Sequence, residues 1–498
     1  MHHLMIPHHS HVQTPPSEEE DPIEALDRVK EILADGDHPF PVDRKTLRDV
    51  MRAKMGQEVV RIKFLSSGTF HKAFLVLFKD GEEVVMRMAR RFMPRIKTES
   101  EVATLDYIRT KTTVPVPEVY YYESNQYNEL GAEYIIMSKA KGVPLLRVHR
   151  QMDMDEKRQL LSNLASHMLT LFKHRFNAIG SLYSTRSPAV APSVPQTPSV
   201  SRPGTPKLRS RSSLGTRPPL TPLSSAPSPT FPTLAHIIPT FSVGPIVSWP
   251  FFGEGRGLQQ LDRGPWSSFE AYLVACCERE IDAVRKESEG RVTSHRPHRP
   301  PEAGTSAPSS SDEEDEDDGE IYYRDYRTMQ RSSLLVSYAY QRVETVRAEM
   351  DQFKKYMRNL GVGSMKRDEL DAFSLDLHDL SLANIFVDEH DPSEITCIID
   401  WESTCIRPLW QCAHLPAFLA TNPNDSEAEM FREEMAKLDD PAARLWLRAE
   451  KERATWRRAH KVLEWDGWEE GLVLKELGLE DEATSNGLNT SLNVMKLL

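Results

Sequence analysis

Apolar positions recur along this chain with two periods, and the switches between them divide it. IEALDRVKEIL, from Ile23, has apolar residues at helical spacing. Val59–Lys63, Ala73–Phe78 and Glu83–Met88 read as strands, the last two joined by a turn at Asp80-Gly81. Thr98–Thr110 returns to the helical period, with Val102, Leu105 and Ile108 on one face, and Val114-Pro-Val-Pro ends it. Tyr134–Met137 is another strand and Met152–Lys173 a long helix. Strands, a helix and more strands predict a small sheet-based lobe over residues 21–145.

Beyond Ser184 the periodicity disappears. Ser187–Pro232 is built of Ser, Pro, Thr and Arg, and holds twelve of the 35 prolines. Such a composition buries too little apolar surface to offset conformational entropy, which predicts a disordered insert over 185–233. A second insert is predicted over 286–320, where the run SSSDEEDEDDGE lies. Helical pattern returns from Tyr322 to about Asn359, and the pattern stays continuous to Glu482, giving a second lobe over 146–482. Residues 1–20, with a cluster of five histidines, and 483–498 read as tails. Without tails and inserts, on the order of 380 residues remain, a fair size for one two-lobed body.

Composition then excludes several classes. The 62 Lys+Arg against 74 Asp+Glu leave a net charge of −12, unlike a generic nucleic-acid binder. Part of that charge belongs to the acidic insert. Five irregularly spaced cysteines make neither a disulfide framework nor a zinc site. No apolar run spans a membrane, and the N-terminus lacks the pattern of a secretory signal. A cytoplasmic location with no nucleic-acid partner is expected.

The most informative stretch is FSLDLHDLSLANIFVDEHDPSEITCIIDWE, residues 373–402. A polar loop, Asp379–Asn384, leads into strand Ile385–Val387; a turn and a second strand, Ile395–Ile399, end at Asp400. That hairpin sets Asn384 roughly opposite Asp400 and brings three oxygen-bearing side chains to one end of a ribbon. Phosphoryl transfer uses such a set. One carboxylate orients or deprotonates the attacking hydroxyl, while an amide and a second carboxylate hold Mg²⁺ against nucleotide phosphates. In the first lobe, Phe64-Leu-Ser-Ser-Gly-Thr-Phe-His71 joins two strands and carries one glycine, a loop able to lay backbone N–H groups over phosphates.

In these segments the chain resembles the aminoglycoside phosphotransferase family, relatives of choline kinases with a protein-kinase-like fold, and within it a fungal branch. The resemblance runs from about Val59 to Trp468, inserts excluded. It implies an α+β fold: a small antiparallel sheet lobe followed by a larger, mainly helical lobe. It implies Asp379 as the catalytic residue, Asn384 and Asp400 as metal ligands, and Ser67, Gly68, Thr69 and Phe70 as the nucleotide loop. Arg87 stands at the third-strand position usually held by Lys, with Glu101 as its helix partner, and the backbone around Met137 would meet adenine. ATP and Mg²⁺ are the implied cofactors, and a hydroxyl of a small molecule is the acceptor. The segment GPIV…DRGPWSS also resembles the fungal branch. There Arg263, Trp266 and Ser267 either face the acceptor or form a tight Gly-Pro turn with Trp266 in the core.

Three departures stand out. Leu377 occupies the place of a His that supports the catalytic loop, with His378 beside it. Arg87 replaces Lys. The segment after Asp400-Trp-Glu402 reads STCIRPLWQCAHLP instead of a Gly-Asp-Pro run. These motivate an alternative, a pseudokinase-like nucleotide-binding or scaffold protein regulated through its inserts. Thr197-Pro, Thr205-Pro, Thr221-Pro and Ser228-Pro in the first insert would suit a phospho-dependent protein partner. A protein kinase is disfavoured, since neither a DFG triplet nor an activation segment ending in A-P-E is present.

Overall fold

The computed structural model describes residues 22–36, 39–90, 93, 95–185, 240–253, 256–288, 341–364, 368–377, 379–422, 425–464 and 471–478. Both predicted inserts and both tails lie almost entirely outside these residues, as does His378. The chain divides into two compact units. The first comprises Met1–Thr98 and Pro117–Ala140, the second Glu99–Val116 and Lys141–Leu498.

The first unit is built on five antiparallel strands in the order β1-β2-β3-β5-β4. They are β1 (Val59–Ser67), β2 (His71–Phe78), β3 (Glu83–Ala89), β4 (Val119–Glu123) and β5 (Tyr134–Ser138). Alternation on β2 and β3 turns Phe74, Val76, Phe78, Val84, Met86 and Met88 inward, where all are buried. β1 is longer than the pattern predicts. Phe64 is buried against Phe74, with ring centroids 6.2 Å apart, and beyond a bulge Ser66 and Ser67 still pair with Ala73 and Lys72. The predicted loop from Phe64 to His71 is thereby reduced to Gly68, Thr69 and Phe70.

Two helices precede the sheet, α1 (Pro22–Asp35) and α2 (Arg44–Met55). Asp43 caps α2 by accepting from the amides of Lys45 and Thr46, and Gly56 closes it at φ 70°. Side chains of both helices satisfy main-chain groups of edge strand β1. Asp27 accepts from the Phe64 amide, Arg44 donates to the Ile62 carbonyl, and Arg48 donates to that of Val59.

In the second unit, α3 (Ile96–Lys111) contributes its turns from Glu99 onward. α4 (Leu145–Val148) and α5 (Met154–Phe172) follow; Asp153 and Glu156 form a capping box on α5. Helices α6 (Trp249–Phe252), α7 (Phe269–Ser288), α8 (341–359), α9 (Leu409–Cys412), α10 (Ala417–Ala420), α11 (Ser426–Lys437), α12 (Pro441–Glu452), α13 (Ala454–Lys461) and α14 (Leu472–Leu477) make this unit mainly helical. Its strands form three small antiparallel ribbons: β11-β10-β6, β12-β9 and β7-β8. They are β6 (Val143–Pro144), β7 (Ser181–Ser184), β8 (Phe241–Gly244), β9 (Phe373–Asp376), β10 (Ile385–Val387), β11 (Ile395–Ile398) and β12 (Cys405–Pro408). The chain thus has the α+β organisation predicted for it, a sheet-based first unit and a mainly helical second one. No helix among the described residues is long and apolar enough to cross a membrane.

Candidate functional site

The second unit contains the Asp379–Asn384 loop. Ser381 donates its amide to the Asp379 carbonyl and Asn384 donates its own to Ser381, which winds the loop into a tight turn. The Asn384 side-chain amide donates to the Asp379 carbonyl at 3.1 Å and reaches the Asp379 carboxylate at 3.5 Å. The nitrogen of Asn384 is therefore committed to Asp379, and its Oδ1 is the atom left for a cation. Asp379 itself is exposed, while Leu380 beside it is fully buried and anchors the turn.

The hairpin behind the loop is β10 and β11, with Ile385 opposite Ile398 and the Ile399 amide donating to the Asn384 carbonyl. Asp400 follows at once, at φ 69°, in the left-handed region that Asp tolerates better than most residues. Trp401 is buried and donates its indole N–H to the Ile398 carbonyl at 2.8 Å, locking the turn after the strand. The turn therefore brings Asn384 beside Asp379, and the hairpin leaves Asp400 two residues past the end of β11, next to Ile399, whose amide bonds to Asn384. Asp379, Asn384 and Asp400 supply two carboxylates and an amide oxygen, the hard oxygen donors that suit Mg²⁺.

Position 377 carries Leu, and support for the loop comes from elsewhere. Asp376, buried at the end of β9, accepts from Nε2 of His414 at 2.9 Å and forms an ion pair with Arg407, whose Nε stands 3.3 Å away. Arg407 in turn pairs with Glu464. Burial disfavours the charged form of His414, but the Asp376 hydrogen bond outweighs it and holds this imidazole above its usual value. Burial likewise opposes ionisation of Glu464, and Arg407 overrides it, drawing the carboxyl down to about 2. The Phe418 amide donates to the Leu380 carbonyl and the Leu146 amide to that of Leu382, so the loop backbone is held from two sides. His414 lies in the very segment that departs from the family pattern. Only Asp376, a carboxylate closing the short strand Phe-Ser-Leu-Asp, carried any signal of this support in the sequence.

In the first unit, the Gly68 amide donates to the His71 carbonyl, closing the three-residue loop. Arg90 straps it down: its Nε donates to the Gly68 carbonyl at 3.0 Å, and Nη2 donates to Ser67 Oγ at 2.7 Å and to Asp35 at 3.0 Å. Ser67 donates to Asp35 at 2.8 Å, and the buried Lys72 ammonium joins at 2.7 Å. Burial works to raise the Asp35 carboxyl; the bonds from Lys72, the Phe40 amide and Ser67 prevail and hold it below the usual carboxylate value. Thr69 is exposed and Phe70 half-buried. A Cβ on Gly68 would meet only the His71 carbonyl oxygen, at 3.8 Å, so the protein's own packing leaves the space over this glycine open.

Arg87 lies mid-strand on β3, facing Ala73 and Ile135 in the ladder. Its guanidinium donates to Nδ1 of His71 at 2.9 Å, and the buried Lys97 ammonium stands 2.9 Å from Nε2 of the same ring. Two cations thus converge on one imidazole. Lys97, at the start of α3, was not singled out by sequence reasoning; a Lys in a helix's first turn resembles any surface residue until the fold buries it. Met137 is buried within β5, paired with Val85 and Val119, so its main chain belongs to the ladder. Glu101 is buried on α3, in the second unit.

The GPIV…DRGPWSS segment takes the packing role. Trp266 is buried against Phe251 and Tyr272, and its indole N–H donates to Asp262 at 2.9 Å. Arg263 donates to the carbonyls of Gln259, Phe251 and Arg256. Ser267 is exposed. All five cysteines are buried, and burial pushes the thiols of Cys276 and Cys405 up to about 11.

Comparison with known proteins gives partial matches. No family model matches the chain. A subtelomeric hrmA-associated cluster protein of Aspergillus fumigatus is 25% identical over 362 residues, 71% of this chain and 59% of that protein. The chain therefore spans well under two thirds of that relative's length. The mitochondrial protein "altered inheritance of mitochondria 9" of Candida tropicalis is 29% identical over 132 residues, 24% of this chain and 21% of its own. Among solved structures, the ADP-bound aminoglycoside phosphotransferase APH(2'')-Ib aligns over 88% of this chain and 96% of its own, at 9% identity and a TM-score of 0.40.

Proposed function

We propose that this chain is an ATP-dependent phosphotransferase of the aminoglycoside phosphotransferase type, which moves the γ-phosphate of ATP to a hydroxyl of a small molecule. The reading rests on one observation above all. The Asp379–Asn384 turn holds an exposed carboxylate and an amide within hydrogen-bond range of each other, at the mouth of the hairpin that ends in Asp400. Asp379 would accept the proton of the acceptor hydroxyl as its oxygen attacks the γ-phosphorus. The bond from that phosphorus to the β,γ-bridging oxygen breaks, and ADP leaves. Asn384 Oδ1 and the Asp400 carboxylate would hold Mg²⁺, which supplies charge neutralisation at the phosphates.

In the first unit, the loop from Gly68 to Phe70 would cover the phosphates with the amides of Thr69 and Phe70, the Gly68 amide being held by the His71 carbonyl, and with Ser67 fixed beneath them by Asp35 and Arg90. Arg87 would contact the α- and β-phosphates. Lys97 adds a second cation beside Arg87. The adenine contact falls to the backbone that leaves β5 beyond Met137.

The test is an ATP-consumption screen over alcohols, amino-alcohols and sugars, with Asp379→Asn as the blank. A turned-over acceptor whose rate drops about 10²–10⁴-fold in Asp379→Asn, at unchanged melting temperature, is the expected result. An unchanged rate defeats the assignment. The second reading, a pseudokinase-like nucleotide-binding or scaffold protein, is favoured by the engagement of Arg87 with His71. Thermal stabilisation by Mg·ATP with no turnover over the whole panel would select it.

A further inference from the structure

Helix α1 is docked the wrong way round for an amphipathic helix. Among its described side chains, from Leu26 onward, those turned inward are acidic: Asp27 and Glu31 are buried, and the side chain of Asp35 is nearly covered. Arg44 meets Asp27 and Glu31 at 3.4 and 2.6 Å, Lys72 meets Glu31 and Asp35 at 3.0 and 2.7 Å, and Arg90 meets Asp35 at 3.0 Å. The large apolar residues from Leu26 onward face solvent instead: Leu26, Val29, Ile32 and Leu33 are 58, 52, 70 and 76% exposed.

At about 100° per residue, Ile32, Val29, Leu33 and Leu26 sweep an arc of about 120°, centred opposite the acidic stripe. Arg28 and Lys30, both exposed, each stand about 40° beyond an end of that arc. Acids at the centre of the polar face, bases at its borders and a broad apolar arc form the pattern of a helix lying in a lipid interface, with the basic side chains reaching the headgroups. The body of the protein pairs with Asp27, Glu31 and Asp35, so the described charged side chains that flank the apolar arc, Arg28 and Lys30, are both basic.

We propose that this face of α1 is a membrane-docking surface for an anionic lipid bilayer. A second copy of the chain fits it less well, because symmetric pairing would set the basic borders against each other. A protein partner fits it less well too. A helix of 14 residues is about 21 Å long, which offers less area than a stable protein interface needs, whereas a bilayer demands no minimum area or matching shape.

The experiment is flotation of the full chain with vesicles of equal parts phosphatidylcholine and phosphatidylglycerol, and with phosphatidylcholine alone. The wild type should float with the anionic vesicles only. Leu26→Asp with Leu33→Asp should lower the bound fraction more than tenfold, and Lys30→Glu by about fivefold or more. Arg28 is left in place because it also acts on Asp43. An independent reading needs no charge change. Since the native cysteines are all buried, Ile32→Cys can be labelled selectively with an environment-sensitive fluorophore, whose emission should shift to the blue on anionic vesicles. Absence of flotation and of the blue shift overturns the proposal. So does binding that survives the double substitution, or a concentration-dependent dimer that the double substitution dissociates while vesicles bind neither form.

Discussion

The Asp379–Asn384 turn and the Gly68 loop are short polar segments of similar size, yet the side-chain bonds that shape them span different distances along the sequence. Asn384 is bonded to Asp379 only five residues away, and the adjoining hairpin continues that local pattern. The Gly68 loop depends on groups that are distant in sequence: Arg90 reaches it from 22 residues away and Asp35 from 32. Local bonds follow wherever the motif occurs. Distant ones exist only once α1, β1 and β3 are in place, so the Gly68 loop should answer to remote damage and the Asp379–Asn384 turn chiefly to damage in its own buried support.

The largest effect should come from that support. Asp376→Ala leaves Arg407 and His414 buried without their shared carboxylate, and should cost about 3–5 kcal/mol in chemical denaturation. A loss below about 1 kcal/mol would show that the second region does not depend on this buried support, and the contrast would fail. Arg90→Ala is the counterpart in the first unit. Removing the strap should cost about 1–3 kcal/mol and raise KM for ATP more than it lowers kcat. Arg90→Lys keeps the charge but not the fork, and should restore stability more than KM.

Acid separates the regions next. His460 is almost completely buried, and burial lowers its pKa from 6.5 to about 4. The unfolded chain therefore binds the extra proton between those values, so the second unit loses stability as pH falls from 6.5 toward 4. Glu464, drawn from 4.5 to about 2, extends the loss below 4.5. His414 acts oppositely: its raised pKa stabilises the fold below 6.5, and that contribution fades as pH rises through the folded value. In the first unit Asp35, lowered from 3.8, adds stability that is lost only as pH falls below 3.8. All eight tryptophans follow residue 141, so their emission reads the second unit; hydrogen exchange on β1 and β2 reads the first. The tryptophan transition should begin at the higher pH, and coincident acid transitions would erase the distinction.

The smallest change sharpens the comparison most. Gly68→Ala adds a methyl that meets one carbonyl oxygen at 3.8 Å, so stability should move by less than about 1 kcal/mol. If the loop covers phosphates, KM for ATP should still rise. An unchanged KM would remove the loop from nucleotide binding.

The same division decides what could be read from the sequence. Strands β2 and β3, helices α3 and α5 and the β10–β11 hairpin are legible as runs of one period, and the proximity of Asn384 to Asp379 follows from their spacing. The far half of β1 was not, because Ser66 and Ser67 stay extended only through pairing with β2 across a bulge. Arg90, Lys97 and the Asp376–His414 pair were not legible either. Each joins residues that are unrelated in local sequence, and a charged side chain in a loop or first turn looks solvated until its partner is known. α1 misleads in its own way: its apolar period predicts a helix correctly, but suggests the wrong face for burial.

One consequence of that docking concerns the life of the chain when it is shortened. The main-chain amide of Phe64 on edge strand β1 is satisfied by Asp27, and the Ile62 carbonyl by Arg44, whose charge α1 balances. A protease cut near Gly36 that released α1 would free the Phe64 amide and leave Arg44 without its carboxylates, which opens part of the outer rim of the sheet as a template for another extended chain. Such a fragment should grow by strand addition into aggregates instead of unfolding, so α1 serves as the chain's protection against self-templating.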